Sequence, residues 1–255
     1  MNFSELKDFL DEKADLYNNP EFIENDPIQI PHLFTLKQDV EIAAFLTSTI
    51  SWGNRKTIIN DAVKMMNWMD HSPYDFVLHH RSSDLDFLES KAVHRTFNSE
   101  DFRFFLVNLQ RIYNEHHSME KLFMTENSEM NFYHSLERFR KEFFKNNPEH
   151  RSSKHVSSTY KNSSAKRLMM FLRWMVRKDR KGVDFGIWKN IDQQFLSVPL
   201  DVHTGNVGRK LAILQRKQND WKAVEEMDTI LRKMNAADPA KYDFALFGLG
   251  VSGDF

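Results

Sequence analysis

The sequence predicts an all-α protein, and three observations carry that reading. Apolar residues recur at helical spacing along most of the 255 residues, as in MNFSELKDFLDEKADLYNN and RKTIINDAVKMMNWM. Only 8 Gly and 7 Pro are present, too few for the turns that a β-sandwich or barrel of this length needs. With 41% apolar residues, including 22 Phe and 12 Met, there is material for a large core in spite of 28% charged residues. The length fits one large domain or two lobes.

The first element is a helix over the N-terminal nineteen residues, with no apolar signal-peptide stretch. A Pro-containing extended segment (Pro20, Pro27, Pro31) leads to Asp39, the expected N-cap of the apolar helix EIAAFLTSTIS. Trp52-Gly53-Asn54 breaks the chain before a second helix, which must stop ahead of His71-Ser72-Pro73. Ser99-Glu100-Asp101 opens a helix with acids suited to the dipole, and residues 131–146 give another. Residues 147–164 lack periodicity and read as a loop able to move in the absence of a ligand. Beyond it lie KRLMMFLRWMVRK, a helix after Asp201, a helix capped by Asp220 and a last one opened by Asp238-Pro239. About ten helices and no convincing strand result.

Composition also excludes whole classes of chemistry. The chain has no Cys, which removes disulfides, thiolate zinc, iron–sulfur clusters and a cysteine nucleophile. The eleven His form no HExxH spacing, and no Gly-rich phosphate loop or Ser nucleophile elbow is present, so neither a metal nor a cofactor is expected. Uninterrupted apolar runs fall far short of the ~20 residues that span a bilayer, and the expected compartment is the cytoplasm. Net charge is −1, yet fifteen Lys or Arg face four acids between Arg138 and Lys189. Such a run reads either as a solvated face or as a phosphate-binding stripe.

The residues after Ser163 carry most of the chemistry. On a helical wheel Lys166, Met170, Arg173 and Arg177 share one face, and Leu168, Phe171, Leu172, Met175 and Val176 the other. Trp174 falls on the charged side, where packing is the favoured role over stacking on a base. Lys166 begins its helix, where the dipole and Arg167 both work against a charged ammonium; a neutral amine there is a nucleophile, although a lone Lys on a basic face is more often only solvated. Thirty-five residues on, Val198-Pro199-Leu200-Asp201 is a proline turn ending in an acid placed to cap the next helix. That helix carries Gly205, Gly208 and Ala212, a side without bulk that another backbone or a phosphate could approach.

The Ser163-Ser164-Ala165-Lys166 helix start, the Pro199-Leu200-Asp201 turn before Arg209-Lys210-Leu211, and EIAAFLTSTISWGN together resemble the helix-hairpin-helix (HhH-GPD) DNA glycosylase superfamily over about residues 37–250. The spacing is most similar to the archaeal 8-oxoguanine glycosylase branch. KRLMMFLRWMVR and DPAKYDFALFGLG also look like signatures of an uncharacterised bacterial family distantly related to that fold. The resemblance implies two helical subdomains with a cleft between them: a barrel over residues 37–160, and residues 1–36 joined to 161–255. It implies a base-excision-repair glycosylase with AP-lyase activity, acting on a flipped damaged base such as 8-oxoguanine. Lys166 would be the nucleophile and Asp201 the essential carboxylate; Asp243, Phe247 and Trp52 would form the base pocket. Lys161, Ser163, Ser164, Arg167, Arg173, Arg177, Gly205 and Arg209 would meet phosphates. The expected partner is DNA, with RNA as an alternative, and the expected state a monomer without an iron–sulfur cluster.

The sequence departs from that family at the hairpin. The usual Leu-Pro-Gly-x-Gly is replaced by Tyr160-Lys161-Asn162-Ser163-Ser164, in which Asn162 is the residue able to take the left-handed turn. Two other registers compete. Lys181 lies nearer the common spacing to Asp201 but in a loop, and Lys210 pairs with an acid, Asp228, that no turn precedes. A non-catalytic nucleic-acid binder of the same fold and a helical interaction module are the alternatives in other functional classes.

Overall fold

The computed structural model describes residues 1–89 and 91–253. It is built of helices: α1 (Phe3–Tyr17), α2 (Glu21–Glu24), α3 (Lys37–Thr49), α4 (Arg55–Trp68), α5 (Pro73–His79), α6 (Ser99–Glu115), α7 (Tyr133–Phe143), α8 (Lys166–Val176), α9 (Val202–Lys210), α10 (Trp221–Met234) and α11 (Tyr242–Ser252). Short 3-10 turns join them, and one two-stranded antiparallel ribbon, β1 (Ala92–His94) with β2 (Phe97–Asn98), stands before α6. The ribbon corrects the expectation of a strandless chain. Its two- and three-residue strands are too short to show a period, and its turn is made by Arg95 at φ 48° rather than by a glycine.

Two compact units emerge, residues 1–24, 125–137 and 157–255 in one, and 25–124 with 138–156 in the other. The sequence had placed the divisions at 36/37 and 160/161. In the first unit α11 packs on α1 and on α9. Its core gathers Leu10, Val198, Leu200, Val207, Trp221, Met227, Leu231, Leu246 and Leu249. Gly248 permits the α1 contact, since a Cβ there would lie 2.3 Å from the Tyr17 ring. The second unit is centred on rings, with Phe45 stacked on Phe105 and edge-on to Phe139 and Phe143.

Local chemistry explains where the helices begin. Asn2 with Glu5, and Asn98 with Asp101, form capping boxes for α1 and α6. Asn54, Asp201 and Asp220 accept from backbone N–H groups of Thr57, Thr204 and Ala223. Asp39 is not the cap of α3, which begins at Lys37; its carboxylate instead accepts the Tyr74 N–H of α5 at 2.8 Å. The stretch 147–164 holds a 3-10 turn at Arg151–His155, anchored in the second unit by Ser152 Oγ donating to Asp101 at 2.7 Å. Among the described residues no helix is long and apolar enough to cross a membrane.

Candidate functional site

The entry to α8 is fixed by its turn. Asn162 takes φ 61°, the left-handed conformation expected of it. Its carbonyl accepts from Trp221 N–H at 3.2 Å, and its amide donates to Asp220 at 2.9 Å. The turn is therefore tied to the start of α10. Ser163 Oγ accepts from the Ala165 N–H at 3.1 Å. Ser164 Oγ donates to the Leu200 carbonyl at 3.4 Å, joining the segment that delivers Lys166 to the segment that delivers Asp201.

Asp201 is half-buried. One oxygen accepts the Thr204 N–H at 2.9 Å, and its own carbonyl accepts from Asn219 Nδ2 at 2.8 Å. Asp243, on α11, is 5% exposed and ion-paired to Arg173 of α8. Burial pushes its carboxyl up to about 6, against the opposing pull of Arg173; the negative charge of Asp201 adds to the rise and the positive charge of Lys166 resists it. Lys166, Asp201 and Asp243, distant in sequence, all belong to the first unit. Phe247, one turn beyond Asp243, stands edge-on to Phe22 and to His203, each with centroids 6.2 Å away.

Arg173 and Arg177, expected on a phosphate-binding face, are buried instead, each 3% exposed. Arg173 bridges Asp243 and Asp184, with Nε 3.1 Å from the latter. Arg177 bonds Asp238 at 2.9 and 3.0 Å, Asp179 at 2.8 Å and Asp184 at 3.1 Å. Both guanidinium groups lie over the Phe244 ring, at 4.4 and 5.3 Å. The wheel failed because the opposite face of α8 also meets protein. Met170 is buried with the arginines, and Trp174 packs in the core, fully enclosed. Asp179 and Asp184, just past α8, and Asp238 and Asp243, some sixty to seventy residues on, neutralise what local sequence presents as a solvated basic face.

The remaining phosphate candidates divide. Lys161 is exposed, and Ser163, Ser164 and Arg167 are half-buried; burial lowers the Arg167 guanidinium to about 10. Gly205 is buried, its N–H donates to the Asp201 carbonyl at 2.9 Å, and a Cβ there would lie 2.6 Å from Asn219. Its missing side chain makes room for protein rather than for phosphate. Arg209 clasps the following loop through the carbonyls of Arg216 and Lys217, both at 2.8 Å, and Asn219 at 2.6 Å.

Trp52 belongs to the second unit. Its ring stands edge-on to His94 at 4.9 Å and stacks on His155 at 5.8 Å, and its carbonyl lies 3.0 Å from His94 Nε2. Of the rival residues, Lys181 is exposed and pairs with Asp15 at 3.4 Å. Asp228 is buried against Ser197 Oγ at 2.6 Å, its carboxyl pushed up to about 6 by burial.

A groove of about 320 Å³ adjoins α9, lined by His203, Asn206, Val207, Arg209, Lys210 and Gly250. Sequence reading gave no role to His203 or Asn206 and weighed Lys210 only as a rival nucleophile, although with Val207 these residues form an i, i+3, i+4, i+7 stripe that was there to be found. Among the described residues no group of His, Asp or Glu is arranged to hold a metal ion. The chemistry on offer is that of an amine with two carboxyls of unlike surroundings: covalent attack, stabilisation of positive charge and proton transfer.

No curated protein matches the chain, and no solved structure matches it either. Residues 26–252 match the model of a family described as a protein of unknown function (DUF2400), and the chain belongs to that family.

Proposed function

We propose that this protein is a DNA base-excision glycosylase with AP-lyase activity and an HhH-GPD-like fold, working in the cytoplasm as a monomer on a flipped damaged base. An oxidised purine such as 8-oxoguanine is the favoured target. One observation supports the reading: Ser164, two residues before Lys166, donates to the carbonyl of Leu200, the residue before Asp201, so the two segments that present these side chains are tied together although thirty-five residues separate them.

Breaking an N-glycosidic bond builds positive charge on the sugar, and Asp201 would stabilise that charge. The Lys166 amine would attack the anomeric carbon and form a Schiff base, from which β-elimination cuts the strand. This chemistry calls for no cofactor. Asp243 and Phe247 would hold the extruded base. Phosphate contact would centre on the exposed Lys161, with Ser163, Ser164 and Arg167 half-buried beside it at the entry to α8.

The test is incubation with duplexes carrying 8-oxoguanine, other oxidised or alkylated bases, or an abasic site, with borohydride present. The reading predicts base release, strand cutting and a reduced covalent adduct, all lost in Lys166→Gln. Retained DNA binding with no base release would support the non-catalytic alternative. An adduct that persists in Lys166→Gln would overturn the assignment of the nucleophile.

A further inference from the structure

The turn that enters α8 carries an aromatic ring which the fold holds still yet leaves in water. Tyr160 is 58% exposed, although the backbone around it is braced. The Asn162 N–H donates to the Thr159 carbonyl at 2.8 Å, the Lys161 N–H to Ser158 Oγ at 3.2 Å, and Thr159 Oγ1 to the Tyr133 carbonyl at 2.7 Å. The ring itself is held on two sides. One face meets Tyr133, with centroids 5.2 Å apart and planes at 34°, and Tyr133 in turn meets Trp221 at 5.1 Å, so three rings run outward from the start of α10. His134 stands edge-on at 5.7 Å, and its Nδ1 shares a hydrogen bond of 2.8 Å with the Tyr160 hydroxyl. The exposed area therefore lies on the outer face of the ring. Lys161, the next residue, is exposed, while the acids of the turn are engaged, Glu137 with Ser158 Oγ and Asp220 with Arg216 and Asn162. All of these residues belong to the first unit.

A ring that serves only the core is buried, because area left in water forgoes the gain of burial. Tyr160 forgoes more than half of that gain while its orientation is fixed in advance, the arrangement that lets a planar ligand stack with little further cost of ordering. Every nucleobase offers a π face to such a ring, and a phosphate beside it meets the ammonium of Lys161. The turn runs into α8, whose first residue, Lys166, follows six positions after Tyr160. A base seated on the ring is then a neighbour of the nucleotide under attack and not that nucleotide itself. Resting on the glycosylase reading, we propose that the outer face of Tyr160 is a stacking platform for an unstacked base flanking the damaged one, with Lys161 on the adjoining phosphate. Stacking of this kind tolerates any sequence, so the platform holds the strand without choosing the lesion.

Fluorescence anisotropy with a labelled duplex carrying a central abasic analogue tests the platform, one further base being omitted at each flanking position in turn. For the wild type, omission at one position weakens binding about 10-fold, the worth of one stacked base. Tyr160→Ala binds the complete duplex about 10-fold more weakly and is indifferent to that omission, whereas Tyr160→Phe keeps the ring and the wild-type pattern. Lys161→Ala lowers the slope of log K against log salt by about 1, and Tyr160→Ala leaves the slope unchanged. A Tyr160→Ala protein that binds as tightly as the wild type overturns the proposal. So does a wild type that tolerates every omission equally, a result that needs no variant to fold. A Lys161→Ala slope equal to that of the wild type overturns the phosphate contact. If either overturning result comes from a protein that releases bases, the platform falls and the glycosylase reading stands. If the coupling of Tyr160 to one flanking base is found but no base is released from any duplex, the glycosylase reading falls and the platform stands as a strand-binding surface. A wild type that binds none of the duplexes overturns both.

Discussion

Replacing Arg177 by Met keeps the length of the stem and removes the charge, and the structure gives the consequence a size. The side chain is 3% exposed and serves Asp179, Asp184 and Asp238 together. These three aspartates hold the guanidinium in its charged form more strongly than burial opposes it. Removing one member of a buried ion network strands the others and typically costs about 3–5 kcal/mol. For a chain of this size each kcal/mol lowers the melting temperature by roughly 2–4 °C, so the variant should melt about 6–20 °C below the wild type at neutral pH. Circular dichroism or calorimetry measures it, with Lys178→Met, an exposed neighbour, as the control expected within about 0.5 kcal/mol. If Arg177→Met behaved like that control, the residue would be a surface cation, and the buried network on which Asp243 depends would be refuted.

Three further outcomes follow from other parts of the fold. Asp228 has a folded value of about 6 against 3.8 unfolded, so its stabilising contribution is fully present below about 3.8 and is lost as pH rises through 6. Asp228→Asn escapes that loss and should be more stable than the wild type at pH 8 by up to about 3 kcal/mol, with the gap closing near pH 4; unfolding curves at the two pH values decide it. Glu41, fully buried in α3, accepts from Tyr113 Oη, Ser118 Oγ and the Met119 N–H, so Glu41→Ala should cost about 3–5 kcal/mol and speed hydrogen exchange in α3 and α6. Gly248→Ala drives a methyl into the Tyr17 ring and should lower stability by about 1–3 kcal/mol, measured by urea unfolding and relieved by Tyr17→Ala.

Much of the helical layout was legible because it is written locally. Asp201 and Asp220 announce their helices as short acids ahead of an amphipathic run, and Asn162 stands where a turn without glycine needs a left-handed residue. What was not legible depends on partners remote in sequence. Arg173 looked solvated because Asp243 lies seventy residues away, and Arg177 because Asp238 lies sixty-one away. Asp39 read as a cap because nothing near it reveals the Tyr74 N–H that it serves. Gly205 read as an opening for phosphate because Asn219, which fills the space, comes fourteen residues later. In each case a polar group or a gap was read as facing solvent or ligand, when tertiary packing had already supplied its partner.

The most direct test of the site is to locate the covalent bond. Wild-type protein is reduced with borohydride in the presence of an abasic or 8-oxoguanine duplex, digested, and its peptides are read by mass spectrometry. The account predicts a sugar-derived mass on Lys166 alone, absent from Lys166→Gln and reduced in Asp201→Asn. A modified residue elsewhere, or no adduct across the whole set of duplexes, would contradict it.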